Sequence, residues 1–118
     1  MHERLRRVCF VDYDREIALV AEQKDRDGHL RLLGVGRLIK EHGIDEAEFA
    51  ILVGDPWQGK GLGTELLKLL VQIGCKQHLR RIVGYVAREN TLMKQVSEEV
   101  GFTMRRDSNN DWRAEMNL

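Results

Sequence analysis

Three glycines at alternate positions, Gly59, Gly61 and Gly63, with Gln58 before them and Lys60 among them, are the residues of this chain best suited to hold an anion. They follow the apolar run Phe49–Val53 and the break Gly54-Asp55-Pro56, and they precede Leu66, Leu67, Leu69, Leu70 and Ile73 at helical spacing. Strand, glycine turn and helix in that order leave unpaired backbone N–H groups at the positive end of a helix, a natural cradle for a phosphate or diphosphate. The glycines keep side chains out of the way, and Lys60 adds positive charge. A P-loop is nearly matched by Gly54, Gly59 and Lys60, but Gly61 stands where a hydroxyl must hold Mg²⁺. The dinucleotide fingerprint fails too, because Thr64 follows Gly59 and Gly61 where a third glycine is needed. The pattern Gln-x-x-Gly-x-Gly is filled completely by Gln58, Gly61 and Gly63. At the other end of the same apolar run stands Glu48, a carboxylate able to take a proton from a reacting group. With Asp45 and Glu46 it would equally suit a solvated loop.

The elements that must position these groups follow from pattern. Arg4 to Arg7 is charged at nearly every position and reads as a frayed helix end; Val8–Val11 starts a strand. Asp12 to Glu16 reads as a solvated turn, or as an acidic rim that would attract a cation. Ile17–Ala21 and Leu32–Leu38 are strands joined by a hairpin at Asp27-Gly28, and Ala47–Val53 completes a three-stranded antiparallel meander. Gly34 and Gly36 share one face of their strand and allow a helix to approach closely. The helix after the glycines extends to about Leu79, and the strand Ile82–Val86 then lies parallel to Phe49–Val53, as a helical crossover requires. Asn90 or Thr91 caps a further helix that ends at Gly101. Phe102–Arg105 and Trp112–Met116 form a terminal hairpin, with Trp112, Ala114 and Met116 on one side and Arg113, Glu115 and Asn117 on the other.

Gln58-x-x-Gly61-x-Gly63, together with the later run from Asn90 to Gly101-Phe102, resembles the acetyl-CoA loop and the following helix of the GNAT N-acetyltransferases. The resemblance covers the chain from about Asp12 onward. It implies an α/β (α+β) GNAT fold: a mixed, mostly antiparallel sheet with a splayed parallel central pair. The order here is βββαβαββ, without the family's first strand and helices. The segments Asp12–Val20 and Ala47–Gly63 narrow the likeness to the C-terminal acetyltransferase domain of bacterial protein-lysine acetylating enzymes, often fused to an NDP-forming acyl-CoA synthetase-like region. Residues 1–118 then form one domain, shortened at its N-terminus.

What the resemblance implies for the site is specific. The cosubstrate is acetyl-CoA, with no metal. Gln58, Gly59, Lys60, Gly61, Leu62, Gly63 and Thr64 surround its diphosphate, and the backbone of Ile51, Leu52 and Val53 pairs with the pantetheine arm where the parallel strands part. Gly84 on the partner strand relaxes that pairing. Asn90 and Met93 meet the arm from the second helix, although Asn90 as a plain helix cap would look the same. A backbone N–H at Ile51 or its neighbour faces the thioester oxygen. Glu48 matches the family's general base, and a partly apolar setting would raise its pKa toward neutrality. The tyrosine that protonates the thiolate in the family is expected seven residues after Asn90, where this chain has Ser97.

Composition sets the bounds. A chain of 118 residues supports one core, and nineteen basic against nineteen acidic residues give no net field toward nucleic acid or membrane. No apolar run approaches the ~20 residues of a bilayer span. No export signal precedes Cys9 and Cys75, which points to a reducing cytoplasm and free thiols. The acceptor implied by the resemblance is a primary amine, first of all a protein lysine. A small-molecule amine and a non-catalytic acyl-CoA-sensing module are the alternatives. Homodimerisation and membership of a longer multidomain chain both stay open.

Overall fold

The computed structural model describes residues 4–12, 15–41, 43–54 and 61–118. In chain order the elements are β1 (Arg4–Asp12), β2 (Glu16–Lys24), β3 (Leu30–Lys40), β4 (Glu46–Val53), α1 (Leu62–Lys76), β5 (Arg81–Val86), α2 (Thr91–Val100), β6 (Thr103–Arg106) and β7 (Trp112–Asn117). The seven strands form one mixed sheet in the order β1-β2-β3-β4-β5-β7-β6. All neighbours run antiparallel except β4 and β5, which are parallel as the helical crossover demands.

The expected order lacked one strand. Arg4 to Arg7, read above as a helix end, belongs to β1, with Arg4 opposite Gln23 and Arg7 opposite Val20. Local charge argued against a strand there, but an exposed β2 edge offers a ladder to the chain preceding it, and charged residues are common on the edge strand that results. The meander therefore has four strands. Helix α1 also ends earlier than the periodicity suggests: it stops at Lys76, and His78 takes a left-handed backbone with φ 59°.

Both helices pack on one face of the sheet. Leu66, Leu67 and Leu70 of α1 are fully buried against Ile17, Leu38 and Ile82. Burying three leucines contributes roughly 5–9 kcal/mol before ordering costs. The approach is close because β3 carries glycines beneath the helix: a Cβ on Gly36 would lie 3.2 Å from Leu70 Cδ1, and one on Gly34 would lie 3.3 Å from Leu66 Cδ1. Ala114 and Met116 extend this core from β7. The opposite face carries Glu16, Arg37, Glu48, Ala50, Leu52, Tyr85, Arg113 and Glu115, as the strand registers require, and no helix covers it among the described residues.

Candidate active site

The parallel pair does not stay together. The β4–β5 ladder runs from Glu46↔Arg81 to Phe49↔Gly84 and stops. Beyond it β4 continues along β3 only, and β5 along β7 only. The ring of Phe49, 4% exposed, fills the point of divergence and rests on Phe102 with ring centroids 5.0 Å apart. Gly84 makes room for it, since a Cβ there would lie 2.1 Å from Phe49 Cε2. Glycine at this position therefore accommodates a ring at the wedge. Past the wedge, the edge of Ala50–Leu52 turned away from β3 has no strand beside it among the described residues.

A cleft of about 400 Å³ opens between that edge, the start of α1 and the flank of α2. Such a volume suits an elongated small ligand. Of the residues expected to bind the cosubstrate, Ile51, Leu52, Val53, Gly61, Gly63, Thr64, Asn90 and Met93 line it together. Leu62 does not: its side chain is buried in the core at 2% exposure, leaving only its backbone to face a ligand. Gln58, Gly59 and Lys60 lie outside the described residues. Gly61 occupies the N-cap of α1 in the left-handed region, φ 86°, where a side chain is strained although a Cβ would touch nothing within 4 Å. No side chain caps this helix, and its first internal bond is Glu65 N–H to the Gly61 carbonyl. The N–H groups of Leu62, Gly63 and Thr64 thus precede the helical ladder at its positive end.

Asn90 does cap α2, its Oδ1 accepting the Met93 N–H at 3.1 Å, and it also lines the cleft. Four further lining residues escaped the sequence reading: Leu92, Gln95, Val96 and Glu99. Their i, i+3, i+4, i+7 spacing marks one helical face, which is the signal that could have found them. Thr64 Oγ1 and Glu99 Oε2, 3.5 Å apart, bridge the two helices across the cleft. Ser97 is 0% exposed and donates to the Met93 carbonyl at 2.9 Å, so it faces the interior and not the cleft.

Glu48 stands on the other face of the sheet, one ladder pair before the wedge, opposite Val83. It is exposed, in contrast to the partly apolar setting expected for it. Three carboxylates on its face of the sheet are engaged. Glu16 pairs with Arg37 at 3.1 Å, Glu46 with Arg81 at 3.1 Å, and Glu115 with both Arg81 (3.2 Å) and Arg113. The hydrogen bond from Arg113 holds the Glu115 carboxyl below its ordinary range. Burial would lower the Arg113 pKa, but the neighbouring Tyr85 and the Glu115 carboxylate outweigh it, and the net shift is upward. Among the described residues, Glu48 has no ion-pair partner.

The described residues contain one group of potential metal ligands, Asp25, Asp27 and His29, at the β2–β3 hairpin and away from the cleft. Asp25 Oδ1 already accepts the N–H groups of Asp27 (3.0 Å) and His29 (2.9 Å), as the turn itself requires.

Comparison with known proteins identifies the family. The family described as "Acetyltransferase (GNAT) domain" matches residues 2–103. Acetyltransferase PA5475 of Pseudomonas aeruginosa is 28% identical over 97 residues, covering 82% of this chain and 52% of that protein. The chain thus spans about half the length of that curated relative. Among solved structures, the GNAT domain of S. lividans PAT superposes with a TM-score of 0.76 at 26% identity, over 91% of this chain and 63% of that one. The PaiA N-acetyltransferase of Thermoplasma acidophilum, solved in complex with coenzyme A, shares the fold with a TM-score of 0.73 at 21% identity, over 88% and 62% respectively.

Proposed function

Since the chain belongs to the acetyltransferase (GNAT) domain family, we propose that it moves an acetyl group from acetyl-CoA to a primary amine, first of all a lysine side chain on a protein. The observation that carries this reading is the wedge at Phe49–Gly84, which parts β4 from β5 between the cleft on one face of the sheet and the exposed Glu48 carboxylate on the other. Acetyl-CoA supplies an acetyl carbon activated as a thioester and a sulfur able to leave with the electron pair.

This chain's residues supply the rest. The N–H groups of Leu62, Gly63 and Thr64, with Gln58, Gly59, Lys60 and Gly61 before them, hold the diphosphate. The exposed edge of Ala50–Leu52, continued by Val53, pairs with the amides of the arm, and Asn90 and Met93 close on it from α2. The backbone N–H at Ile51 or its neighbour donates to the carbonyl oxygen as charge develops there. Glu48, directly or through a water, takes the proton that an ammonium must lose before it can attack, since a lysine amine at neutral pH is almost wholly protonated. A protein acceptor is supported by the shape of that face: Glu48, Ala50, Leu52 and Tyr85 are exposed on an open sheet, which suits a side chain presented from another surface.

Replacing Glu48 with Gln tests the assignment. CoA affinity, read by calorimetry, should stay unchanged, and turnover of lysine peptides at neutral pH should fall by about 10²-fold or more. The deficit should shrink at alkaline pH, where the amine is already neutral. Equal rates at every pH would remove Glu48 from the mechanism. A second reading, a non-catalytic acyl-CoA-binding module, is favoured by one observation: the α2 position at which a tyrosine acid would stand holds the buried Ser97. CoA binding without turnover on any peptide or polyamine would decide for it.

A further inference from the structure

We propose that Tyr85 positions the acceptor, its ring forming one wall of the opening on the uncovered sheet face and Glu48 the other; this rests on the acetyl-transfer reading above. Tyr85 is the first residue of β5 past the last ladder pair, so it stands where the two strands begin to part. It is a large aromatic left 57% exposed. The registers put it on the Glu48 face: Glu48 pairs with Val83, and Tyr85 follows Val83 by one full strand repeat. One strand spacing across and two residues along give a Cα separation of about 8 Å, room for one aliphatic chain between them.

The ring has an ordered neighbour. Tyr85 lies directly opposite Arg113 of β7. Arg113 is fixed by Glu115, Glu115 by Arg81, and Arg81 by Glu46. This chain of charges spans three strands and orders the guanidinium that stands beside the tyrosine. It engages Glu46 and Glu115, while Glu48 has no ion-pair partner among the described residues. An alkylammonium entering here meets an aromatic surface along its methylenes and the Glu48 carboxylate at its head.

The test uses calorimetry on the full chain with two probes: CoA, and CoA alkylated on sulfur with an N-butylacetamide group, whose butyl chain stands for the lysine methylenes. The parent protein should bind the conjugate more tightly than CoA. Tyr85→Ala should weaken the conjugate about five- to tenfold and leave CoA unchanged, the loss expected for uncovering an aliphatic chain. Tyr85→Phe, which keeps the ring, should bind the conjugate as the parent does, and Arg113→Ala, which removes the ordered side chain opposite it, should cost the conjugate about twofold, again sparing CoA. A thermal melt of each variant monitors folding. If the conjugate gains nothing over CoA, or its gain survives Tyr85→Ala, the positioning role is overturned while the acetyl-transfer reading stands. If the parent protein binds no CoA at all, both fall.

Discussion

Gly84→Ala is the substitution whose outcome this architecture fixes most sharply. In a strand interior, alanine is ordinarily the better residue by about 0.5–1 kcal/mol, because glycine loses more freedom on folding. Here the added methyl would lie 2.1, 2.3 and 2.6 Å from three atoms of the Phe49 ring, far inside ordinary contact. The ring must retreat by more than ~1 Å, yet it is 4% exposed and already rests on Phe102. Overpacking a core costs about 1–3 kcal/mol, and a buried ring without an exit belongs at the upper end. For a chain of 118 residues the unfolding entropy is about 250 cal/mol/K, so ~3 kcal/mol lowers Tm by about 12 °C. Urea and thermal unfolding measure this directly. Phe49→Leu in the Gly84→Ala background should recover part of the loss, with a coupling energy above about 1 kcal/mol in a double-mutant cycle. A neutral or stabilised Gly84→Ala protein would refute the wedge.

Two further outcomes are expected. Gly61→Val puts a branched residue at φ 86°, which should cost about 1–2 kcal/mol of stability and weaken CoA binding at least about tenfold by calorimetry; unchanged affinity would rule out the glycine turn as the diphosphate cradle. For Glu115 the folded pKa lies below its ordinary 4.5, so the pair with Arg113 stabilises the fold at and above that pH and its contribution fades as pH falls through the lowered folded value. Glu115→Gln should therefore lower Tm at pH 7 and leave a shallower Tm decline on the acid side than the parent shows.

The parts of the fold legible in the chain were those with a local cause. The apolar run, the glycines and the leucine spacing announced β4, the turn and α1; Gly34 and Gly36 announced close helix packing; Asn90 and Gly101 announced both ends of α2. What stayed hidden depended on partners distant in sequence. Arg4–Arg7 became a strand because β2 offered an edge, a fact no local pattern records. Glu48 and Tyr85 share a face only because of the register Glu48↔Val83, and the engagement of Glu46 and Glu115 appears only once β4, β5 and β7 lie side by side. Asn90 caps its helix as the sequence predicted, and its place on the cleft border came from the packing of α2 beside β4 and α1.

The parting of β4 from β5 has a kinetic consequence. It leaves the cleft on the helix side and Glu48 and Tyr85 on the bare side, so in the proposed transfer the nucleotide carrier arrives past the helices and the amine across the bare strands. Reactants that use separate doorways need not wait for one another, and neither product blocks the other's exit. A transfer run this way passes through a complex holding both substrates, and double-reciprocal rate plots at several amine concentrations should intersect instead of running parallel.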